Sequence, residues 1–209
     1  MGIVPISLDF LNRHLPLVGG LNNCRMMELG NQQMYWHPNI PEGSAAKSWF
    51  ERMGARHTSI DSNGELGSIK LDLSLPIERP EWIGTFDVVT DFGTGEHIGI
   101  NEHIRKPLEG LYQCRANCHR WCRLGGIMLF MNPKTGHWPL HGFHYFTMAH
   151  YQRLAEACSY TTLELSEHPS GGNYVDGWQI HAAFQKMSDA PFIALERFTE
   201  ICNSTVFPA

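Results

Sequence analysis

The feature that most constrains this chain is a succession of short apolar runs, each stopped by an acid, an asparagine or a glycine and separated by stretches of helical spacing. Cys24-Arg-Met-Met-Glu-Leu-Gly30 suits a buried strand that feeds a tight turn, and the two prolines and glycine of residues 31–43 predict a long loop after it. A helix is expected over Ser44–Met53, with Ser44 as cap and Gly54 as stop. His57–Asp61, Ser68–Ser74 and Phe86–Phe92 read as the second, third and fourth strands. Residues 101–123 carry a helical pattern closed by Gly125-Gly126, and Ile127–Met131 is a fifth strand ended by Asn132-Pro133. A helix over 148–158 and strands over 161–166 and 178–187, joined by a turn at 169–173, complete the order. Such alternation predicts an α/β fold with a mostly parallel sheet, helices on both faces and an antiparallel edge.

Composition narrows the partners. Hydrophobic residues make up 43% of 209, enough for one core spanning residues 1–209. Lysine and arginine total 16 against 21 acids, and no dense basic run offers to neutralise a phosphate backbone, so nucleic acid is disfavoured. Six cysteines read as reduced thiols, which suggests the cytoplasm. The start lacks the basic and apolar regions of a signal peptide, and no apolar run approaches the ~18 residues of a membrane span. Ile6 stands where a myristoylation signal needs serine or threonine.

In open parallel sheets, ligands bind beyond the carboxyl ends of the strands, where strand order reverses. The polar residues there are Glu28 and Gly30, Asp61, Asp72, Thr90 and Asp91, and Asn132. An acid-x-Gly closing the first strand, an acid closing the second, Leu-Asp-Leu on the third and Phe-Asp-Val-Val on the fourth together resemble the class I S-adenosylmethionine-dependent methyltransferases over about residues 24–135. The stretches Thr90–Ile98, Asn117–His119 and Gly136–Tyr145 resemble a sparsely characterised bacterial and viral branch associated with glycans and small metabolites.

The resemblance implies a Rossmann-like three-layer sandwich, a mostly parallel seven-stranded sheet with an antiparallel C-terminal strand, and an acceptor-side loop and strand pair over about 136–209. It implies S-adenosylmethionine as methyl donor, S-adenosylhomocysteine as product and a small-molecule acceptor. Gly30 would let backbone approach the methionine portion, and Glu28 would hold its ammonium group. Asp61 would accept the ribose hydroxyls and Asp72 the adenine amino group, with Leu73 against the ring. Thr90, Asp91 and Phe92 would border the methyl. The family's second loop glycine is absent, since the motif runs Glu28-Leu-Gly30-Asn31-Gln32, which gives its place to the Asn31 or Gln32 side chain.

Each acid also suits an ordinary turn, as Asp61-Ser-Asn-Gly illustrates. Cys114, Cys118 and Cys122 share one face of the expected helix, where a single rigid helix cannot wrap zinc, so core packing is the better account. His137, His141 and His144 crowd the loop after the fifth strand, and no carboxylate lies between 135 and 155 to complete a metal site, so no metal is expected. His141 or His144 is instead expected as general base, with Asp91 as fallback, and His137, Trp138 and Tyr145 as the acceptor pocket. Loop histidines that only pin the chain by hydrogen bonds, a methyltransferase-like module without catalysis and, ranked after it, a metal-dependent enzyme using the histidine loop are the competing readings. The fourth strand ends in Thr-Asp-Phe-Gly, without the Asp/Asn-Pro-Pro-Tyr/Phe motif of DNA amino-methylation.

Overall fold

The structure, a computed structural model, describes residues 2–36, 38–99, 107–170 and 177–207. In chain order its elements are β1 (Gly2–Ile3), α1 (Pro5–His14), β2 (Arg25–Leu29), β3 (Gln33–Met34), β4 (Ser44–Ala45), α2 (Ala46–Arg52), β5 (Arg56–Asp61), β6 (Ile69–Lys70) and β7 (Phe86–Phe92). Then follow α3 (Pro107–Trp121), β8 (Cys122–Pro133), β9 (Tyr145–Phe146), α4 (Met148–Cys158), β10 (Tyr160–Pro169), β11 (Trp178–Lys186), α5 (Leu195–Thr205) and β12 (Val206–Phe207).

Seven strands form the central sheet in the order β10-β11-β8-β7-β2-β5-β6. The five from β8 to β6 run parallel, and β11 runs antiparallel to both neighbours. Side chains alternate between the two faces as the period of a strand requires. Met26, Val88, Ile127 and Leu129 pack with Leu8, Phe10 and Leu11 of α1 and Phe50 of α2. Met27, Val89, Met128 and Phe130 pack with Leu111 and Cys114 of α3, Tyr151 and Leu154 of α4, and Phe198 of α5. The result is the expected three-layer sandwich.

Several boundaries differ from the sequence expectation, each for a local reason. The third strand is only β6, because Asp72 Oδ1 accepts from the backbone N (2.8 Å) and Oγ (2.6 Å) of Ser74 and turns the chain away from the sheet. Ser44 does not cap α2: its hydroxyl donates to Pro41 O at 2.7 Å, and Ser44–Ala45 pairs with β3. The expected long loop therefore holds a small sheet, β1-β3-β4. The helix expected over 101–123 is α3 within the described residues, its first six expected positions lying outside them. Cys122 opens β8 instead of ending the helix, and Gly125-Gly126 sit inside that strand. A Cβ on Gly126 would stand 3.0 Å from Phe86 O, where the β7–β8 register shifts. Most of the expected 169–173 turn lies outside the described residues. Cys114, Cys118 and Cys122 are core residues, all fully buried. Helices α1 and α5 were not read from the sequence.

Candidate functional site

From β2 the chain builds outward to β5 and β6, then returns to β7 and builds the other way, so strand order reverses between β2 and β7. Beyond the carboxyl ends of these strands opens a cavity of about 1360 Å³. Gly30, Asn31, Gln32, Asp61, Asp72, Leu73 and Phe92 are among the residues that line it.

Gln32 occupies the position of the missing glycine. Its buried side chain donates to Leu29 O and to Thr94 Oγ1, both at 3.2 Å, and Thr94 Oγ1 donates to the same carbonyl at 2.9 Å. This cross-link ties the loop after β2 to the loop after β7 and depends on Gly30. Gly30 has a φ of +82°, and a Cβ there would stand 2.5 Å from Thr94 Oγ1 and 2.7 Å from Gln32 Nε2. Gly30→Ala is therefore expected to cost at least about 1–2 kcal/mol from the backbone alone, and to weaken nucleoside binding through the displaced cross-link. A melting temperature equal to that of the parent chain would contradict this.

Asp61 lines the cavity and also shapes it, with Oδ2 accepting from Asn31 N (3.1 Å) and Oδ1 from Asn63 N (3.0 Å). Asn31 Nδ2 donates to Asn63 Oδ1 at 2.8 Å, closing that loop pair. Asp61 therefore forms the ordinary turn that its sequence also allowed while lining the cavity. Glu28 and Thr90 do not line the cavity. Glu28 is 1% exposed, its carboxylate 3.7 Å from His57 Nε2 across the β2–β5 pair. Thr90 is buried, with its hydroxyl 3.5 Å from Met27 O.

Asp91 faces the opposite sheet surface, where Arg115 Nη1 and Asn132 Nδ2 donate to Oδ2 while Thr94 N and Gly95 N (both 2.9 Å) donate to Oδ1. Asp91, expected as the fallback base, is thus fully buried, bonded at both oxygens and absent from the cavity lining. It acts instead as a positioning residue that shapes the 3-10 turn Gly95–His97.

That turn delivers the residues the sequence reading missed. These are Glu96 and His97, which line the cavity together with the expected Trp138 and His141 and with Phe143. Glu96 Oε1 lies 3.8 Å from His141 Nε2 and 3.9 Å from His97 Nε2, and its Oε2 accepts from Asn132 Nδ2 at 3.0 Å. Burial lowers His97 below the usual histidine value, against the opposing pull of Glu96. The local signal for this pair was an acid and a histidine directly after the fourth strand; what was hidden was their meeting with a histidine from a distant loop.

Of the remaining predicted residues, Trp138 lines the cavity with its indole N–H donating to Trp178 O (2.8 Å). His144 is 2% exposed, bonds to Ile98 O through Nε2 (2.8 Å) and is pushed down to about 4 by burial. Neither it nor Tyr145 lines the cavity. Tyr145 OH accepts from His141 N (2.7 Å) and Gly142 N (3.2 Å) and donates to Trp138 O (2.5 Å), which makes it the clamp of the loop. His137 packs against Trp178, their rings 6.3 Å apart, outside the cavity lining.

No protein-family model and no curated protein matches the sequence. Solved structures do match. The 1,6-didemethyltoxoflavin-N1-methyltransferase of Burkholderia thailandensis, bound to 1,6-didemethyltoxoflavin and S-adenosylhomocysteine, gives a TM-score of 0.59 at 14% identity, over 88% of this chain and 78% of that one. The N-methyltransferase NodS of Bradyrhizobium japonicum WM9, in complex with S-adenosylhomocysteine, gives 0.56 at 15% identity, over 88% and 89%. The fold is that of the class I S-adenosylmethionine-dependent methyltransferases. A geranyl diphosphate methyltransferase bound to GPP and sinefungin matches at 0.51 and 8% identity, over 87% and 79%. On this methyltransferase fold the cavity occupies the β2–β7 crevice, and its lining histidines, His97 and His141, come from the turn after β7 and the loop after β8.

Proposed function

We propose that this chain transfers a methyl group from S-adenosylmethionine to an oxygen or nitrogen atom of a small or sugar-like acceptor. The observation that carries this reading is one cavity lined by two chemically different sets of groups, carboxylates with a glycine turn and imidazoles with aromatic rings. Its volume exceeds the roughly 300–1,000 Å³ of most single-ligand sites, which suits a nucleoside and an acceptor together. Asp61 and Asp72 offer acceptors for hydroxyl and amino groups, Leu71 and Leu73 an apolar wall for a ring, and Gln32 Oε1 is buried without a protein partner where an amino group needs one. Several solved neighbours of the same fold hold S-adenosylhomocysteine or sinefungin.

When bound, S-adenosylmethionine supplies a methyl carbon activated by its sulfonium. The chain's own part is to orient the acceptor and remove its proton. His141, backed by Glu96, is the proton acceptor in this reading, and Trp138 and Phe143 offer flat apolar surfaces on which a sugar or aromatic ring stacks. Among the described cavity residues, Lys70 is the only lysine or arginine, which favours a small acceptor over a nucleic acid.

Calorimetric titration with S-adenosylmethionine and S-adenosylhomocysteine, followed by turnover assays on sugars, phenols and amines, tests the proposal. Binding of both nucleosides with turnover on one acceptor class supports it. Binding with no turnover on any class favours a module that has lost catalysis, and binding of neither nucleoside removes the reading.

A further inference from the structure

In the wall of the cavity the donor atoms of Glu96, His97 and His141 all lie within 4.8 Å of one another. Two imidazoles and one carboxylate form a donor set suited to divalent transition ions. Three observations separate this trio from a chance grouping of polar side chains.

The carboxylate is fixed. Glu96 is 1% exposed, and Asn132 engages Oε2, leaving Oε1 towards the two imidazoles. Asn132 is itself held by Arg115 Nη2 (3.0 Å) and the Tyr151 hydroxyl, the kind of outer support that orients metal ligands.

The two segments are also fastened together. Phe143 N and His144 N donate to Glu96 O at 2.7 and 3.2 Å. A Cβ on Gly142 would stand 2.8 Å from the same oxygen, so the absence of a side chain there lets the loop bearing His141 lie against the turn bearing Glu96 and His97.

Finally, the imidazoles keep room to turn. The side chains of His97 and His141 are 40% and 23% exposed, and their rings meet edge to face at 4.8 Å. Ligands at ~2.1 Å from one ion stand roughly 3.0–3.5 Å from each other, so small rotations of the two rings complete the set around a stationary Glu96.

We propose that Glu96, His97 and His141 bind one divalent transition ion of the zinc or manganese kind, with positions open to the cavity for the acceptor's heteroatom. The role given to the ion rests on the methyltransferase reading, whereas its ligands do not. An acceptor hydroxyl at the ion gives its proton to water more readily. Its oxygen lone pair then forms the bond to the methyl carbon while the carbon–sulfur bond breaks and leaves its electron pair on sulfur. With the ion bound, the ring nitrogen of His141 is engaged as a ligand; in the ion-free chain it remains the base. No carboxylate stands near His141 in sequence; Glu96 reaches it from the turn after β7. A second trio, Glu164, His168 and His181, differs in that Arg13 already binds both oxygens of Glu164, at 3.1 and 2.9 Å.

The test is titration of chelator-stripped protein with Zn²⁺, and separately with Mn²⁺, by calorimetry and thermal melting without any nucleoside. One ion per chain is expected, with affinity reduced in His97→Gln and Glu96→Gln by more than the roughly 10- to 100-fold typical of a residue that only supports a ligand, and with a smaller ion-induced rise in melting temperature for both. His97→Gln discriminates, because His97 has no part in the proton-acceptor reading, and its half-exposed position makes misfolding easy to detect by melting. No stoichiometric ion in the parent chain, or affinity untouched by both substitutions, overturns the proposal. Nucleoside titration of the same sample reports on the methyltransferase reading separately, so either can fail without the other.

Discussion

Glutamine in place of His141 is expected to lower turnover by roughly 10²- to 10⁴-fold, with nucleoside affinity unchanged. The expectation follows from where the residue sits. His141 lines the cavity beside a buried, oriented carboxylate and comes from the loop after β8, whereas the acids expected to hold the nucleoside, Asp61 at the end of β5 and Asp72 after β6, lie on the other side of β7 and β2 in the sheet order. Glutamine retains a polar side chain but cannot accept a proton at neutral pH or supply an imidazole to an ion. His144→Gln is the informative comparison, because His144 is enclosed and bonded to Ile98 O. Its substitution is expected to lower the melting temperature and to leave turnover at saturating S-adenosylmethionine close to the parent value in the protein that remains folded. Near-parent turnover for His141→Gln would remove that residue from the chemistry. Loss of turnover confined to a well-folded His144→Gln would reverse the assignment of the two histidines.

The parallel core was readable because its strands are buried on both faces and so appear as short unbroken apolar runs with abrupt polar stops. Met26-Met27 and Ile127-Met-Leu-Phe-Met131 carry that signature whatever surrounds them. Elements at the margins carry a weaker one. Helix α1 begins at Pro5 after Val4, a cap residue without a polar side chain, and buries Leu8, Phe10 and Leu11 through a pattern diluted by Asp9 and Asn12. The boundary between Trp121 and Cys122 has no stop residue at all, since α3 ends on a side chain that belongs to the same core as the first residue of β8. At the site, sequence order identified the acids of the β5 and β6 ends and the histidine loop, all of which are local. It could not show that Asp91 points to the α3 layer, where Arg115 and Asn132 saturate it, or that Glu96 meets His141. Both depend on strand parity and on loop closure across 45 positions, which no periodicity encodes. Among the histidines, the same limit separated His141 at the cavity from His144 behind it only once the loop was folded.

That uneven burial of histidines makes the fold sensitive to acid. Burial holds His119 and His144 down at about 4 and His150 and His181 at about 3, whereas in the unfolded chain each takes up a proton near 6.5. Between these values the unfolded state binds more protons than the folded one, so stability is lost as pH falls from about 6.5 towards 4. Each pH unit by which a histidine is held below its unfolded value weakens the fold by about 1.4 kcal/mol once the solution is that acidic. Four such residues together remove on the order of 10 kcal/mol, comparable with the whole stability of a typical domain at about 5–15 kcal/mol. Glu164 acts in a lower window. Against the effect of burial, hydrogen bonds from Arg13, Ser166 and His14 hold it at about 2, so its contribution is present above about 4.5 and disappears only as pH falls through 2. Unfolding followed by tryptophan fluorescence and far-ultraviolet circular dichroism is therefore expected between pH 4 and 6, before most carboxylates are protonated. His181 is the residue with which to probe the cause, because both its ring nitrogens are buried without partners between Phe10 and His168. His181→Leu removes that unmet protonation and is expected to move the midpoint to lower pH without loss of stability at pH 7. A parent chain that stays folded down to pH 3, or a midpoint that His181→Leu leaves in place, would contradict the argument.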